Sequence, residues 1–241
     1  MSLADLKRAV WQANRAIVDA GLVVLTWGNA SGVDRDAGVL VIKPSGVAYD
    51  DLGPDDMVAV DLERGTHEGP LRPSSDTPTH LHLVRQFSQI GGVVHTHSAR
   101  AVAWAQAERE IPCFGTTHAD HFHGPVPVTR RLTDLEIRDD YERQTGVVIA
   151  ERVRQQGPDP LAVPAALVAG HGPFAWGPTV QTAVDNAVAL EAVAAMALDT
   201  LALRADCGPL DRALHDKHFL RKHGPGAYYG QSADPGQGAD G

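Results

Sequence analysis

The sequence predicts a layered α/β domain, and three observations carry that prediction. Segments with apolar residues three and four apart read as helices, and short apolar runs between turn residues read as strands. Their order has no repeating strand–helix–strand rhythm, and neither GxGxxG nor GxxxxGK[ST] occurs, so a nucleotide-binding parallel sheet loses support. The length, 241 residues, suits one substantial core and one domain.

The elements follow in order. Leu3, Leu6, Val10, Ala13 and Ile17 mark an amphipathic helix stopped by Gly21. Leu22–Thr26, Gly38–Ile42 and Met57–Leu62 read as strands, separated by the glycine-rich and polar stretches Trp27–Gly32 and Lys43–Gly46. Ser74-Ser75-Asp76-Thr77-Pro78 is a helix start with several candidate caps and a proline suited to the first turn, and the helix runs to about Phe87. Gly91-Gly92 precedes a buried strand, Val93–His97, after which Ser98 opens an alanine-rich helix. Thr133-Asp134-Leu135-Glu136 has the form of a capping box. Ala165–Ala169 reads as a strand, Thr179 to about Arg204 as one long helix, and Leu210 to Lys222 as a shorter one. The tail, 232–241, is Gly, Asp, Pro and Gln in character and is expected to be disordered.

Composition narrows the function. Twenty-one basic against 30 acidic residues give a net charge of −9, which argues against a general nucleic-acid or anionic-membrane binder. No stretch reads as a run of 18 or more apolar residues, and the N-terminus opens into a helical pattern rather than a secretion signal. The two cysteines, Cys113 and Cys207, make neither a disulfide framework nor a CxxC site, so a reducing cytoplasm is the expected home.

The sharpest chemical feature is His95-Thr96-His97. Residues two apart on a strand share a face, so both imidazoles project together as half of a metal site. The bland alternative is two histidines that satisfy themselves locally near a strand end. His171, flanked by Gly170 and Gly172 after an apolar run, is a third candidate ligand or simply a turn residue. Asp76 has two readings: N-cap of the Pro78 helix, or the carboxylate that completes a four-ligand shell suited to Zn²⁺ or Mn²⁺. Three loops can hold an anion: Gly28-Asn29, Lys43–Gly46 and Ser74-Ser75, the last at a helix N-terminus. Asp120 and the Tyr228-Tyr229 pair can exchange protons, or can be a solvated loop aspartate and tail packing.

Together these segments resemble the L-ribulose-5-phosphate 4-epimerase family of the class II aldolase/epimerase superfamily. The likeness rests on Leu25–Asn29, Val41–Val47, Pro73–His80, Val94–Ser98, Gly115–Asp120, His171–Gly177, Asp216–His218, Arg221–His223 and Ala227–Gln231. It covers about Leu6 to Gln231 and implies one domain over 1–231. It implies a three-layer α/β/α fold of the class II aldolase kind around a central, mostly antiparallel mixed sheet. It further implies Asp76, His95, His97 and His171 as metal ligands, for zinc with Mn²⁺ or Co²⁺ as substitutes. Phosphate contacts fall on Gly28, Asn29, Lys43, Ser45, Gly46, Ser74 and Ser75. The acid/base pair falls on Asp120 and Tyr229, with Tyr229 reaching in from a neighbouring subunit of a cyclic homotetramer; Thr116, Glu142 and His218 match further active-site positions. His121 and His123 stand where the family often has aromatics, and Ala169-Gly170 replaces a more polar pair.

The activity implied is inversion at C4 of a ketopentose 5-phosphate. That hydrogen is not next to the carbonyl, so enolisation cannot invert the centre, whereas cleavage and re-formation of C3–C4 can. Two rivals differ in class. A class II sugar-phosphate aldolase would release the fragments, and its branch characteristically carries a glutamate where this chain has Asp76. A non-catalytic module resembling the adducin head would have no use for four ligands, an acid/base pair and three anion loops together.

Overall fold

The computed structural model describes residues 1–228. Tyr229, the other catalytic candidate, and the tail 232–241 lie outside the described residues. Six strands form one sheet in the order β3-β2-β1-β4-β6-β5: β1 Asn29–Asp34, β2 Val39–Ile42, β3 Val58–Asp61, β4 Gly92–His95, β5 Ala165–Leu167 and β6 Pro173–Gly177. Every pairing between these strands is antiparallel. A parallel element enters through the isolated Val128–Leu167 bridge.

Helices cover both faces. On one side lie α1 (Leu3–Asp19), α3 (Ala99–Gln106) and α6 (Val180–Leu203); Ile17, Trp104 and Leu190 pack there on Val94 and Ala175. On the other lie α2 (Thr77–Gln86) and α5 (Asp134–Gln156), whose Leu83 and Ile149 pack on Val93, Phe174 and Trp176. Alternate residues of β4 therefore feed opposite cores, which is why the run around Val93 is apolar throughout. The short α4 (Thr116–Ala119) and α7 (Arg212–His223) pack together at one end. This is the expected α/β/α layering.

The helix starts follow their local chemistry. Thr133 Oγ1 accepts from the Glu136 amide and the Glu136 carboxylate accepts from the Thr133 amide, the reciprocal capping box read from sequence. α5 kinks at Asp140. Ser98 precedes α3 without capping it; the Glu191 carboxylate, from mid-α6, accepts from the Arg100 and Ala101 amides instead.

Three expectations need correction. Leu22–Thr26 is not a strand. Leu25 sits in the left-handed region (φ 55°) and the Trp27 amide donates to the Val24 carbonyl, so the chain turns back. The strand at this point is β1, built from residues read as a loop. Finally, α6 is long and apolar enough to cross a membrane by length and composition, with a mean hydropathy of 1.5 over its apolar window. Its Ala183, Ala187, Leu190 and Ala194 nevertheless pack into the sheet-facing core, and Asn186 donates to the Trp176 carbonyl.

One glycine pair fixes how α6 meets the sheet. A Cβ at Gly91 would lie 2.0 Å from the Pro178 carbonyl oxygen, and one at Gly92 would lie 2.4 Å from Val180 Cα. Both obstacles are backbone and cannot rotate away. Gly91→Ala is expected to cost about 3 kcal/mol or more, the upper end of overpacking, in a chemical denaturation experiment.

Candidate metal and anion site

The end of β4 presents the histidines. His95 is its last residue and faces the α2 side with Val93; His97 follows the strand rather than continuing it. The rings still converge: the two Nε2 atoms are 3.1 Å apart, and one ligand atom from each of His95, His97 and His171 lies within 4.8 Å of the others. His95 is 1% exposed and donates from Nδ1 to the Pro173 carbonyl at 2.9 Å. That bond fixes the tautomer and leaves Nε2 with a lone pair turned into the cluster. Phe174 stacks on the same ring at 4.2 Å. The Tyr141 hydroxyl lies 3.2 Å from His171 Nδ1, leaving that ring's other nitrogen for the cluster.

Asp76, immediately before α2, borders the same cavity as the three histidines. It occupies the position before the helix, yet its side chain makes no capping bond, so the capping reading fails. Its Oδ2 instead accepts from Asn29 Nδ2 at 2.7 Å. Burial would push its carboxyl up, but attraction to His95, His80 and His171 and the Asn29 bond outweigh this and hold it down. Burial pushes His171 down to about 4, with His95 and His97 adding to the effect, and lowers His97 as well. The result is a carboxylate beside two imidazoles, His97 and His171, held toward their neutral form, with His95 Nε2 and His97 Nε2 facing each other at contact distance. That donor set fits a divalent ion of the Zn²⁺, Co²⁺ or Mn²⁺ type.

The anion loops line the same cavity, of about 330 Å³. Gly28, Asn29, Lys43, Ser45, Gly46, Ser74 and Ser75 all border it, together with Asp76, His95, His97 and His171. Gly28 is there for a steric reason: at φ +102°, its Cβ would lie 2.8 Å from the His95 carbonyl oxygen. Lys43 is 2% exposed, donates to the Val47 carbonyl at 2.7 Å and sits 4.7 Å from the Tyr49 ring centre. Burial brings its pKa down to about 8. The Tyr49 hydroxyl in turn donates to the Gly28 carbonyl, joining two of the loops.

Asp120 lies elsewhere in the chain, at the end of α4, and does not line that cavity. His218 Nδ1 (3.0 Å), Arg221 Nη2 (2.9 Å) and Lys222 Nζ (3.5 Å) gather on its carboxylate from α7. Burial opposes its ionisation, but the Arg221 and His218 hydrogen bonds and the Lys222 charge hold the carboxyl below its ordinary range. Thr116 begins the same short helix, and its carbonyl accepts from the Asp120 amide. Glu142 lies on α5 just past the kink, where its carbonyl accepts from Thr79 Oγ1. The two unusual histidines serve this region: His123 pairs with Asp216 at 2.7 Å and stacks on Phe219, while His121 is lowered mainly by burial. Reading the sequence missed Tyr141 and Tyr49, since neither spacing nor a turn signal marks them.

Residues 8–198 match the family described as class II aldolase and adducin N-terminal domain. The chain belongs to that family. Among relatives in the class II aldolase group, proteins of Salmonella paratyphi A and Salmonella typhi named L-ribulose-5-phosphate 4-epimerase UlaF are each 51% identical over 229 residues, covering 95% of this chain and 100% of theirs. Solved class II aldolase structures share the fold. An L-fuculose 1-phosphate aldolase superposes with a TM-score of 0.75 at 21% identity, over 90% of this chain and 96% of its own. The L-fuculose-1-phosphate aldolase of Thermus thermophilus gives 0.64 at 24% identity, over 84% and 98%.

Proposed function

We propose that this protein is an L-ribulose-5-phosphate 4-epimerase, interconverting L-ribulose 5-phosphate and D-xylulose 5-phosphate by cleaving and re-forming C3–C4. The observation that carries the reading is one cavity lined by a three-histidine cluster, the partly buried Asp76 carboxylate and the seven residues read as anion contacts. An aldolase shares that cavity; the epimerase is favoured by the relatives at 51% identity and by an aspartate at position 76.

Asp76, His95, His97 and His171 would hold the divalent ion, which supplies Lewis acidity toward the C2 oxygen and C3 hydroxyl of the substrate. Zinc suits this donor set, with Mn²⁺ or Co²⁺ as substitutes. The Ser74-Ser75 loop, Asn29, the Ser45-Gly46 turn and the Lys43 ammonium are assigned to the phosphate, so the aldehyde fragment stays while it rotates. Asn29 serves both ends, since its amide also orients Asp76. Inversion needs proton exchange with the C4 oxygen from two sides. Asp120, kept ionised by its cations, is assigned one face, with His218 and Thr116 beside it; Tyr229 is assigned the other. Glu142, next to Tyr141 and bonded through its carbonyl to Thr79 of α2, is assigned to the histidine half.

Asp120 does not line the histidine cavity, which supports a site completed by a second copy. We assign a cyclic homotetramer in which each site joins the histidine cavity of one subunit to the Asp120 region of its neighbour. Trp27, which borders the cavity, the preceding Val24 and Leu25, and Met196 on α6 are exposed and apolar, as such contacts require. A cytoplasmic enzyme fits the free thiols of Cys113 and Cys207.

The direct test incubates the metal-loaded protein with L-ribulose 5-phosphate. D-xylulose 5-phosphate is the expected product; accumulation of glycolaldehyde phosphate points to an aldolase, and a metal-insensitive inert protein to a binding module. Lys43 adds a pH signature. It is charged below about 8 and neutral above, so kcat/KM is expected to fall as pH rises through that value, mainly through KM. Lys43→Gln should lower kcat/KM and flatten that limb of the profile.

A further inference from the structure

Behind the Asn29–Asp76 bond lies a second contact of the same build. Asn29 and Ser31 share one face of β1, and Asp76 and His80 are four residues apart on α2. Asn29 Nδ2 donates to Asp76 Oδ2 at 2.7 Å, and Ser31 Oγ lies 2.7 Å from His80 Nδ1. Two polar rungs therefore tie strand to helix, one at the cavity wall and one a turn further along.

The second rung is shut off from solvent: Ser31 is 1% exposed and His80 0%. The His80 ring meets Phe174 edge-on, and Phe174 stacks on His95. Yet among the described residues His80 Nε2 has no hydrogen-bond partner, and neither has the buried Asn29 Oδ1. A buried polar atom without a partner costs stability, so packing alone does not explain a histidine among the leucines of α2.

The Ser31–His80 contact lies one helical turn from Asp76, on the same α2–β1 seam that the Asn29–Asp76 bond closes. The two contacts together set where the first turn of α2 rests on β1, and with it where the Asp76 carboxylate stands.

We propose that His80, through its bond to Ser31, is a positioning residue that seats the first turn of α2 on β1 and so aligns the Asp76 carboxylate for the divalent ion. This rests on Asp76 being a ligand. His80 itself touches neither ion nor substrate.

The test uses the full chain with Co²⁺ as the probe, reading affinity by titration and coordination by the visible absorption bands. His80→Leu is expected to bind Co²⁺ about 10- to 100-fold more weakly, the range for residues that orient a metal ligand, with altered bands. His80→Gln, which keeps a hydrogen-bonding group for Ser31, should recover part of that loss, and Ser31→Ala should weaken binding in the same direction. Should wild-type protein bind Co²⁺ while His80→Leu matches it in affinity and spectrum, the proposal is overturned and the metal site stands. Wild-type protein that takes up no Co²⁺ overturns both. If His80→Leu does not fold, Ser31→Ala, which removes one oxygen atom, decides the matter by the same comparison.

Discussion

His95→Ala is expected to lose bound divalent metal on purification and to lower kcat/KM for L-ribulose 5-phosphate by at least about 10⁴-fold, roughly 5 kcal/mol of transition-state stabilisation. The reason is how many constraints meet on this ring. Its Nδ1 is committed to the Pro173 carbonyl, its Nε2 faces His97, its plane stacks on Phe174, and water is excluded from it. His97 and His171 alone, with Asp76, leave an open shell that binds a divalent ion weakly. His118→Ala is the control. That histidine is also buried, but it donates to the Gly124 carbonyl in another part of the molecule. Its loss should lower stability by about 1–3 kcal/mol, the penalty for stranding a buried partner, with metal content unchanged. Elemental analysis, steady-state kinetics and chemical denaturation on the two variants separate the outcomes. His95→Ala with normal metal content removes the histidine cluster from the mechanism.

What the sequence made legible follows from where its signals are local. The capping box at Thr133, the amphipathic spacing of Leu6, Val10, Ala13 and Ile17, and the apolar runs around Val41 and Val93 are local signals, and those elements formed. β1 was illegible because its buried residues are small and polar. Asn29 and Ser31 point into the interior toward Asp76 and His80, and Gly32 is squeezed by Leu6 and Val10, each 3.1 Å from where its Cβ would be. A central strand whose inward face is built for a site does not read as a hydrophobic alternation. Leu22–Thr26 shows the converse: β-branched and apolar residues with high strand propensity turn outward, leaving Val24 and Leu25 exposed. In the site, residues on one strand or in one loop were legible by spacing. Tyr141, placed by a helix kink 30 residues before His171, and Tyr49, joined to the Gly28 loop across the cavity wall, were not.

Mixing two inactive variants is expected to restore activity, and the recovered fraction reports the architecture. His95→Ala removes the metal half of a site, and Asp120→Asn removes the charge that gathers His218, Arg221 and Lys222. Each alone should be inactive to within about 10²–10⁴-fold of wild type, the range for losing a general acid or base, and more for the metal ligand. In a ring where each site draws one half from each of two neighbours, random exchange of equal amounts leaves about one site in four with both halves intact. Unfolding the variants together and refolding them as a mixture should therefore return about a quarter of wild-type activity. If the site were closed within one chain, every subunit would carry one lesion and the mixture would stay as inactive as its parts. The double variant, His95→Ala with Asp120→Asn, supplies the matching control: mixed in equal amounts with wild type, it leaves about a quarter of the shared sites intact but half of any self-contained ones. The two mixtures discriminate because the His95 cavity and the Asp120 cluster sit on separate parts of the described chain. Sedimentation of the mixed sample fixes the copy number, and a monomeric active species would sink the shared-site reading.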